Sequence, residues 1–340
     1  MGLIMKFFDY IKSKFKPKKP ESFLTENYAN VSVNDIIAIN GENSSMNRVD
    51  GCHAKQFYRV TGDYFKDLYE EMRNNPDCMY RTYMDDVIKS GYNPEKLSVL
   101  IKESGELEHG AYYEILCSRI ANFMGAPTVY NKLYVENGKK YVISVDYMKS
   151  GYRMIDMIRM ANDLYSEIDF DYVNSIEKNY SGMHLFFMNI ADMLRTKLCG
   201  SDSNSDSFED EFFNQYFTRR HVIHDGDFGI HNIGLMTDGK GKAILEPMYD
   251  TELAFSDNSI SNRCLVQDLQ NALTNQPERL KVFDWNFKNL IKPENLKKLF
   301  DGIDDPKFKK IAIKNLKESY EQFEYNCHLA HINIMEEKNR

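Results

Sequence analysis

Apolar positions along the chain change period several times, and each change marks an element. Leu97–Lys102 (LSVLIK) is a short apolar run, the pattern of a buried strand. From Glu106 to Met124 the spacing turns helical, with Ala111, Ile115, Ile120 and Phe123 at core-facing intervals. Asn131–Val135 and Lys140–Val145 flank Glu136-Asn-Gly138, a hairpin with turn chemistry at its tip. A second hairpin is expected where Ile233–Met236 and Ala243–Tyr249 flank the Gly-rich turn Thr237–Gly241. Val31–Asn40 and Lys55–Val60 read as further strands, and Asp63–Met72 and Tyr80–Lys89 as helices. Beyond residue 150 the pattern is helical at Tyr152–Leu164, Gly182–Cys199, Glu209–Phe217, Ser261–Leu273, Phe283–Leu290, Pro293–Phe300 and Lys307–Glu336. Gly200–Ser207 (GSDSNSDS) reads as a solvated loop, and Asp301–Pro306 as a break between helices.

This order divides the 340 residues into an N-terminal arm (1–22), a β-rich segment (23–148) with a helical insertion at about 63–90, and a helical segment (149–340). In the arm, Ile4, Phe7, Phe8, Ile11 and Phe15 fall at helical spacing among lysines, and Pro17 and Pro20 end the pattern. Such a helix either lies on an anionic membrane surface or docks on the body with its lysines in water, and the docked reading is preferred. Composition narrows the classes further. Hydrophobic residues make up 42% and aromatics 13%, the profile of a globular protein. A net charge of −8 argues against a nucleic-acid groove spread over the surface. The six cysteines show no CxxC pair, which points to reduced thiols and a cytoplasmic location. No apolar run is long enough to span a bilayer.

Chemistry concentrates between His221 and Ala254. Asp227 is followed five residues later by Asn232, then by the expected hairpin, and Asp250 stands at the hairpin's end. Phosphoryl transfer needs that order: a carboxylate to orient the attacking hydroxyl, an amide oxygen just past it for Mg²⁺, and a second carboxylate on the same metal. Asp225 competes with Asp227 as the base, but only Asp227 has an Asn at the right offset. His221, His224 and His231 lack the spacing of a zinc site. Upstream, Lys102 ends a strand and Glu114 lies beside the buried face of the next helix, so that Glu114 can hold the lysine toward the phosphates of a nucleotide. The polar loop Gly41–Ala54, with Gly51, is the candidate phosphate cover, although no GxGxxG is present. Asp146, Tyr147 and Met148 follow the first hairpin and are the candidate contacts to an adenine edge. Each residue alone reads as a turn former, a cap or a surface charge; the ordered set is what favours chemistry.

The stretch Asp227-(four residues)-Asn232-Ile-Gly, followed by Glu246-Pro-Met-Tyr-Asp250, resembles the catalytic and metal-binding motifs of HipA-like serine/threonine kinases. Leu100-Ile-Lys102 and the helix from Ala111 to Gly125 are similar to the family's lysine strand and glutamate helix. The resemblance implies an α+β, bilobal protein-kinase-like fold with a small β-rich lobe and a larger helical one. It also implies ATP with Mg²⁺, a protein serine or threonine hydroxyl as acceptor, and an antitoxin or regulatory partner. By position, Lys102 contacts phosphates, Glu114 pairs it, Asp227 is the base, and Asn232 and Asp250 are metal ligands. Gly229 stands where the family has His. His224-Asp-Gly-Asp227 also partly echoes aminoglycoside and choline phosphotransferases. A pseudokinase that binds partners without catalysis is the alternative from another class.

Overall fold

The computed structural model describes residues 30–31, 55–60, 97–103, 109–136, 139–145, 153–156, 205–226, 228, 233–237, 243–255 and 261–338. The N-terminal arm, the loop 41–54, the expected helices at 63–72, 80–89 and 182–199, and most of the expected strand 31–40 lie outside these residues. The described chain mixes strand and helix and is mostly helical. Among the described residues, no helix is long and apolar enough to cross a membrane.

In chain order the first elements are β1 (Asn30–Val31), β2 (Lys55–Val60), β3 (Leu97–Glu103), α1 (Gly110–Phe123), β4 (Asn131–Glu136) and β5 (Lys139–Val145). The strands form one sheet in the order β1-β2-β3-β5-β4. β3 is its centre, pairing antiparallel with β2 and β5 so that Lys102 lies opposite Lys55 on one side and Val142 on the other. Val99, Ile101, Val142 and Ile143 are buried around it. α1 buries Ala111, Tyr112, Ile115, Leu116, Cys117, Ile120 and Ala121, two adjacent rows that form one wide apolar stripe. It ends at Gly125, whose φ of 76° suits a residue without Cβ just past a helix terminus. The chain then runs extended: Val129 N donates to Met248 O at 3.0 Å and Met248 N donates to Pro127 O at 2.7 Å, which fastens the end of α1 to the second hairpin.

β6 (Arg153–Asp156) corrects the expectation of helix over 152–164 at these four positions, which pair antiparallel with the strand Gly234–Thr237; residues 152 and 157–164 lie outside the described ones. A four-residue strand shows too little periodicity to be distinguished, and its partner lies some eighty residues away. α2 (Ser205–Phe217) begins inside the expected serine loop and passes into a π-helical turn, Thr218–Val222. β7 (Gly234–Thr237) and β8 (Ala243–Leu245) complete a three-stranded sheet in the order β6-β7-β8. The second arm of this hairpin is shorter than expected, because after Leu245 the chain leaves the ladder for its bridge to Thr128.

The C-terminal helices are α3 (Asn262–Asn275), α4 (Pro277–Leu290), α5 (Pro293–Leu299) and α6 (Pro306–Lys338). α4 starts six residues before Phe283, where the apolar pattern begins, with Pro277 in its first turn, a position that suits proline. Leu280, Phe283, Phe287 and Leu290 line its buried side. The rings of Phe283 and Phe287 meet Phe213, Phe217, Tyr320 and Phe323 in a cluster of edge-on and tilted contacts, with Phe213 and Phe217 stacked at 4.1 Å.

Two consecutive arginines, Arg219 and Arg220, are fully buried in the π-helical turn. Arg220 Nε donates to Asp268 Oδ2 at 2.9 Å, and Tyr216 donates to the same carboxylate at 3.3 Å. Burial lifts the Asp268 carboxyl to about 6 against the pull of Arg220. Its folded value therefore lies above the ordinary one. Asp268 contributes stability below pH ~4 that is lost as the pH rises through about 6, by at most about 1.4 kcal/mol per pH unit. Thermal midpoints measured from pH 4 to 7 should fall less steeply in Asp268→Asn than in the wild type. Equal slopes would place this pH dependence on other groups.

Candidate active site

Lys102 comes from the central strand of the larger sheet, and the sheet's burial leaves its ammonium little water, with 4% of the residue exposed. Three carboxylates meet it. Nζ lies 2.6 Å from Glu114 Oε1, 2.6 Å from Asp250 Oδ1 and 2.9 Å from Glu252 Oε2. Burial works against the ammonium, but the charges of Glu114 and Asp250 outweigh it, so Lys102 is held protonated with its pKa raised. Burial likewise raises the Glu114 carboxyl, and Lys102 draws it back down. With all four groups ionised the cluster carries excess negative charge.

Each carboxylate is placed by different means. Glu114 is on the turn of α1 that faces β3, and its backbone carbonyl accepts a bond from Asn131 at the start of β4. Asp250 and Glu252 follow β8 on a segment anchored at Met248 to Pro127 and Val129. Asp250 itself takes a left-handed backbone, φ 56°, a conformation that aspartate and asparagine tolerate better than most residues. That turn lets two acidic side chains so close in sequence reach one ammonium. Phe255 N donates to Ile223 O at 2.7 Å, which ties the far end of the segment to the stretch leading toward Asp227.

The donor oxygens of Glu114, Asp250 and Glu252 all lie within 4.8 Å of one another. An all-carboxylate donor set suits a hard divalent cation such as Mg²⁺ or Mn²⁺. Asp250 and Glu252 keep 24% and 18% of their side chains exposed, whereas Glu114 is sealed in with the lysine. The residues present therefore fit a magnesium ion on the side of Asp250 and Glu252.

Asp227 and Asn232, the proposed base and second ligand, lie outside the described residues, as do Gly51, Asp146, Tyr147 and Met148. Their neighbours are described. Asp225 is buried against Arg219, with Nη1 donating to Oδ2 at 2.5 Å, so the carboxylate that rivalled Asp227 in the sequence is committed to an arginine. His221 stacks on Phe217 at 4.9 Å and meets Phe323 edge-on, which makes it part of the aromatic core. Burial, aided by Arg220, lowers the pKa of His224, whose backbone is also left-handed with φ 45°. Among the described residues, the one group of at least three potential metal-binding side chains is Glu114, Asp250 and Glu252. Sequence reasoning missed Glu252 and the two arginine pairs. For Arg220 a signal exists: Asp268 interrupts the apolar stripe Leu265, Val266, Leu269, Ala272 of α3, and a charge on a core stripe calls for a buried partner.

No protein-family model matches this chain, and no curated protein sequence matches it. Among solved structures the chain is similar to the Helicobacter pylori proinflammatory kinase CtkA, at 12% identity and a TM-score of 0.45, covering 69% of this chain and 88% of that one. It is also similar to a chain in the Shewanella oneidensis toxin–antitoxin complex of HipA, HipB and operator DNA, at 12% identity and a TM-score of 0.43. That match covers 67% of this chain and 57% of the other. Superpositions at these scores leave the site to stand on its own residues.

Proposed function

We propose that this chain is an ATP- and Mg²⁺-dependent kinase of HipA-like type that transfers the γ-phosphoryl group to a protein serine or threonine hydroxyl. One observation carries the reading. A strand lysine, a glutamate 12 positions on and an aspartate 148 positions on converge at 2.6 Å. Each is the residue type that a nucleotide site needs at that place.

In this reading Lys102 reaches the phosphates, and Glu114 keeps the ammonium extended toward them. Asp250 presents its more exposed carboxylate to the metal, with Glu252 beside it and Asn232 as a further ligand. Asp227 accepts the proton of the attacking hydroxyl and, more importantly, aligns that hydroxyl in line with the phosphorus. Bound Mg²⁺ supplies positive charge to the phosphate oxygens. Gly51 and its loop cover the phosphates, and Asp146–Met148 take the adenine edge. The bilobal arrangement and an antitoxin or regulatory partner belong to the same proposal and rest on the motif resemblance, and the cytoplasmic location rests on six cysteines that show no CxxC pair.

The test is transfer from labelled ATP, with Mg²⁺, to the protein itself and to a whole-proteome acceptor mixture. Label should appear on serine or threonine and be absent with Asp227→Asn. Label on a small alcohol or aminoglycoside and on no protein would transfer the site to the small-molecule phosphotransferases. Nucleotide binding without any transfer would make the chain a pseudokinase, and no nucleotide binding in calorimetry would remove the kinase reading altogether.

A further inference from the structure

Arg219 joins the two acidic segments of the site. Its Nη1 donates to Asp225, two positions before Asp227, and its Nη2 donates at 2.8 Å to the carbonyl oxygen of Tyr249, the residue before Asp250. Its own carbonyl accepts the Asp225 amide at 2.8 Å, so arginine and aspartate are bonded through both side chain and backbone. The guanidinium also lies 5.2 Å from the centroid of the Phe228 ring, on the other side of Asp227 in sequence. Arg219 and Asp225 are both essentially without solvent contact. A buried fork with two fixed acceptors sets a distance and an angle between them, which a lysine could not do.

We propose that Arg219 is a positioning residue, and that its fork sets the spacing between the Asp227 segment and the Asp250 segment. The π-helical turn makes this possible. By widening the helix at Thr218–Val222 it buries two successive arginines, and each takes its own aspartate. Arg219 carries a bond to the Asp250 segment, while Arg220 is paired with Asp268 on α3. The catalytic consequence rests on the kinase reading; the brace itself rests on these bonds.

The adjacent pair makes the experiment internally controlled. Arg219→Gln with Asp225→Asn, and separately Arg220→Gln with Asp268→Asn, each remove a buried ion pair without leaving one charge stranded. The first is expected to lower kcat by about ten- to hundredfold, with KM for ATP within about threefold, because misplacing the reacting groups costs rate more than ground-state binding. The second should leave kcat within about threefold at a similar loss of thermal midpoint. Hydrogen exchange read on peptides covering 223–228 and 249–255 should rise together in the first variant and stay unchanged in the second. Equal losses of kcat in two equally destabilised variants would overturn the proposal, as would unchanged exchange in the first. Should Arg219→Gln/Asp225→Asn fail to fold, Arg219→Lys serves: it keeps the charge and loses the fork, and wild-type kcat and exchange in it would equally overturn the idea. A wild-type protein that transfers no phosphate would remove the kinase reading alone, since the exchange measurements decide the brace without turnover.

Discussion

Lys102→Met should abolish transfer and make the protein's stability strongly dependent on pH. Without the ammonium, three carboxylates face one another, and Glu114, 5% exposed, is left as a buried charge with no cation beside it in the cluster. Breaking a buried pair from one side costs about 3–5 kcal/mol. Burial already raises the Glu114 carboxyl in the wild type, and removing Lys102 removes the group that draws it back. Its folded pKa would then lie further above the unfolded one. The sign follows: the variant keeps stability at low pH, where Glu114 is protonated in both states, and loses it as the pH rises through the raised value. Denaturation at pH 5 and pH 8 should show a wild-type-to-variant gap that widens at pH 8. A constant gap would mean that Glu114 finds another cation. Transfer should fall by about a thousandfold or more, the scale of losing a fixed charge at a transferring phosphoryl group; residual activity near wild type would release Lys102 from its assigned role.

Asp250→Asn should separate chemistry from folding. Asparagine accepts the left-handed backbone at this position about as readily as aspartate, so the substitution changes charge with little change in shape. Alanine would add a backbone cost on the order of 1 kcal/mol and blur the result. Lys102 keeps Glu114 and Glu252 as partners, so the thermal midpoint should move by a few degrees at most. Mn²⁺ affinity, read by electron paramagnetic resonance in the presence of nucleotide, should fall by about ten- to a hundredfold, and transfer by about a thousandfold. Wild-type Mn²⁺ affinity in the variant would assign the metal to other side chains.

The parts of this site that were legible in the sequence are local ones. β3 and α1 each show an unbroken period, so the side on which Lys102 and Glu114 fall could be read within the span of residues 97–124. Asp250 was legible through its motif, although nothing local says that its segment crosses to the other sheet. Glu252 was not, because its approach to Lys102 depends on the backbone turn at Asp250, and aspartate at a left-handed position looks like any other aspartate in one dimension. Arg219 and Arg220 were not legible either. Two adjacent cations suggest a surface, and a widened helical turn that buries both leaves no periodic trace. Arg153–Asp156 failed for a related reason: its strand character is conferred by Gly234–Thr237, far along the chain.

One further consequence lies in how α1 is seated. Arg119 reaches the carbonyls of Leu299 and Asp301 at 2.7 Å each, and the rings of Tyr112 and Tyr113 both lie 5.1 Å from Phe308 on α6. Swinging α1 outward to part Glu114 from Lys102 would break all of these at once. With about 1 kcal/mol for each bond and each ring contact, the parted state lies on the order of 4 kcal/mol uphill, a population near one molecule in a thousand. Many protein kinases are switched by that helix. In this chain α1 is fastened to α6 and to the carbonyls of Leu299 and Asp301, so on the kinase reading proposed above the Lys102–Glu114 pair stays closed without a separate switching step.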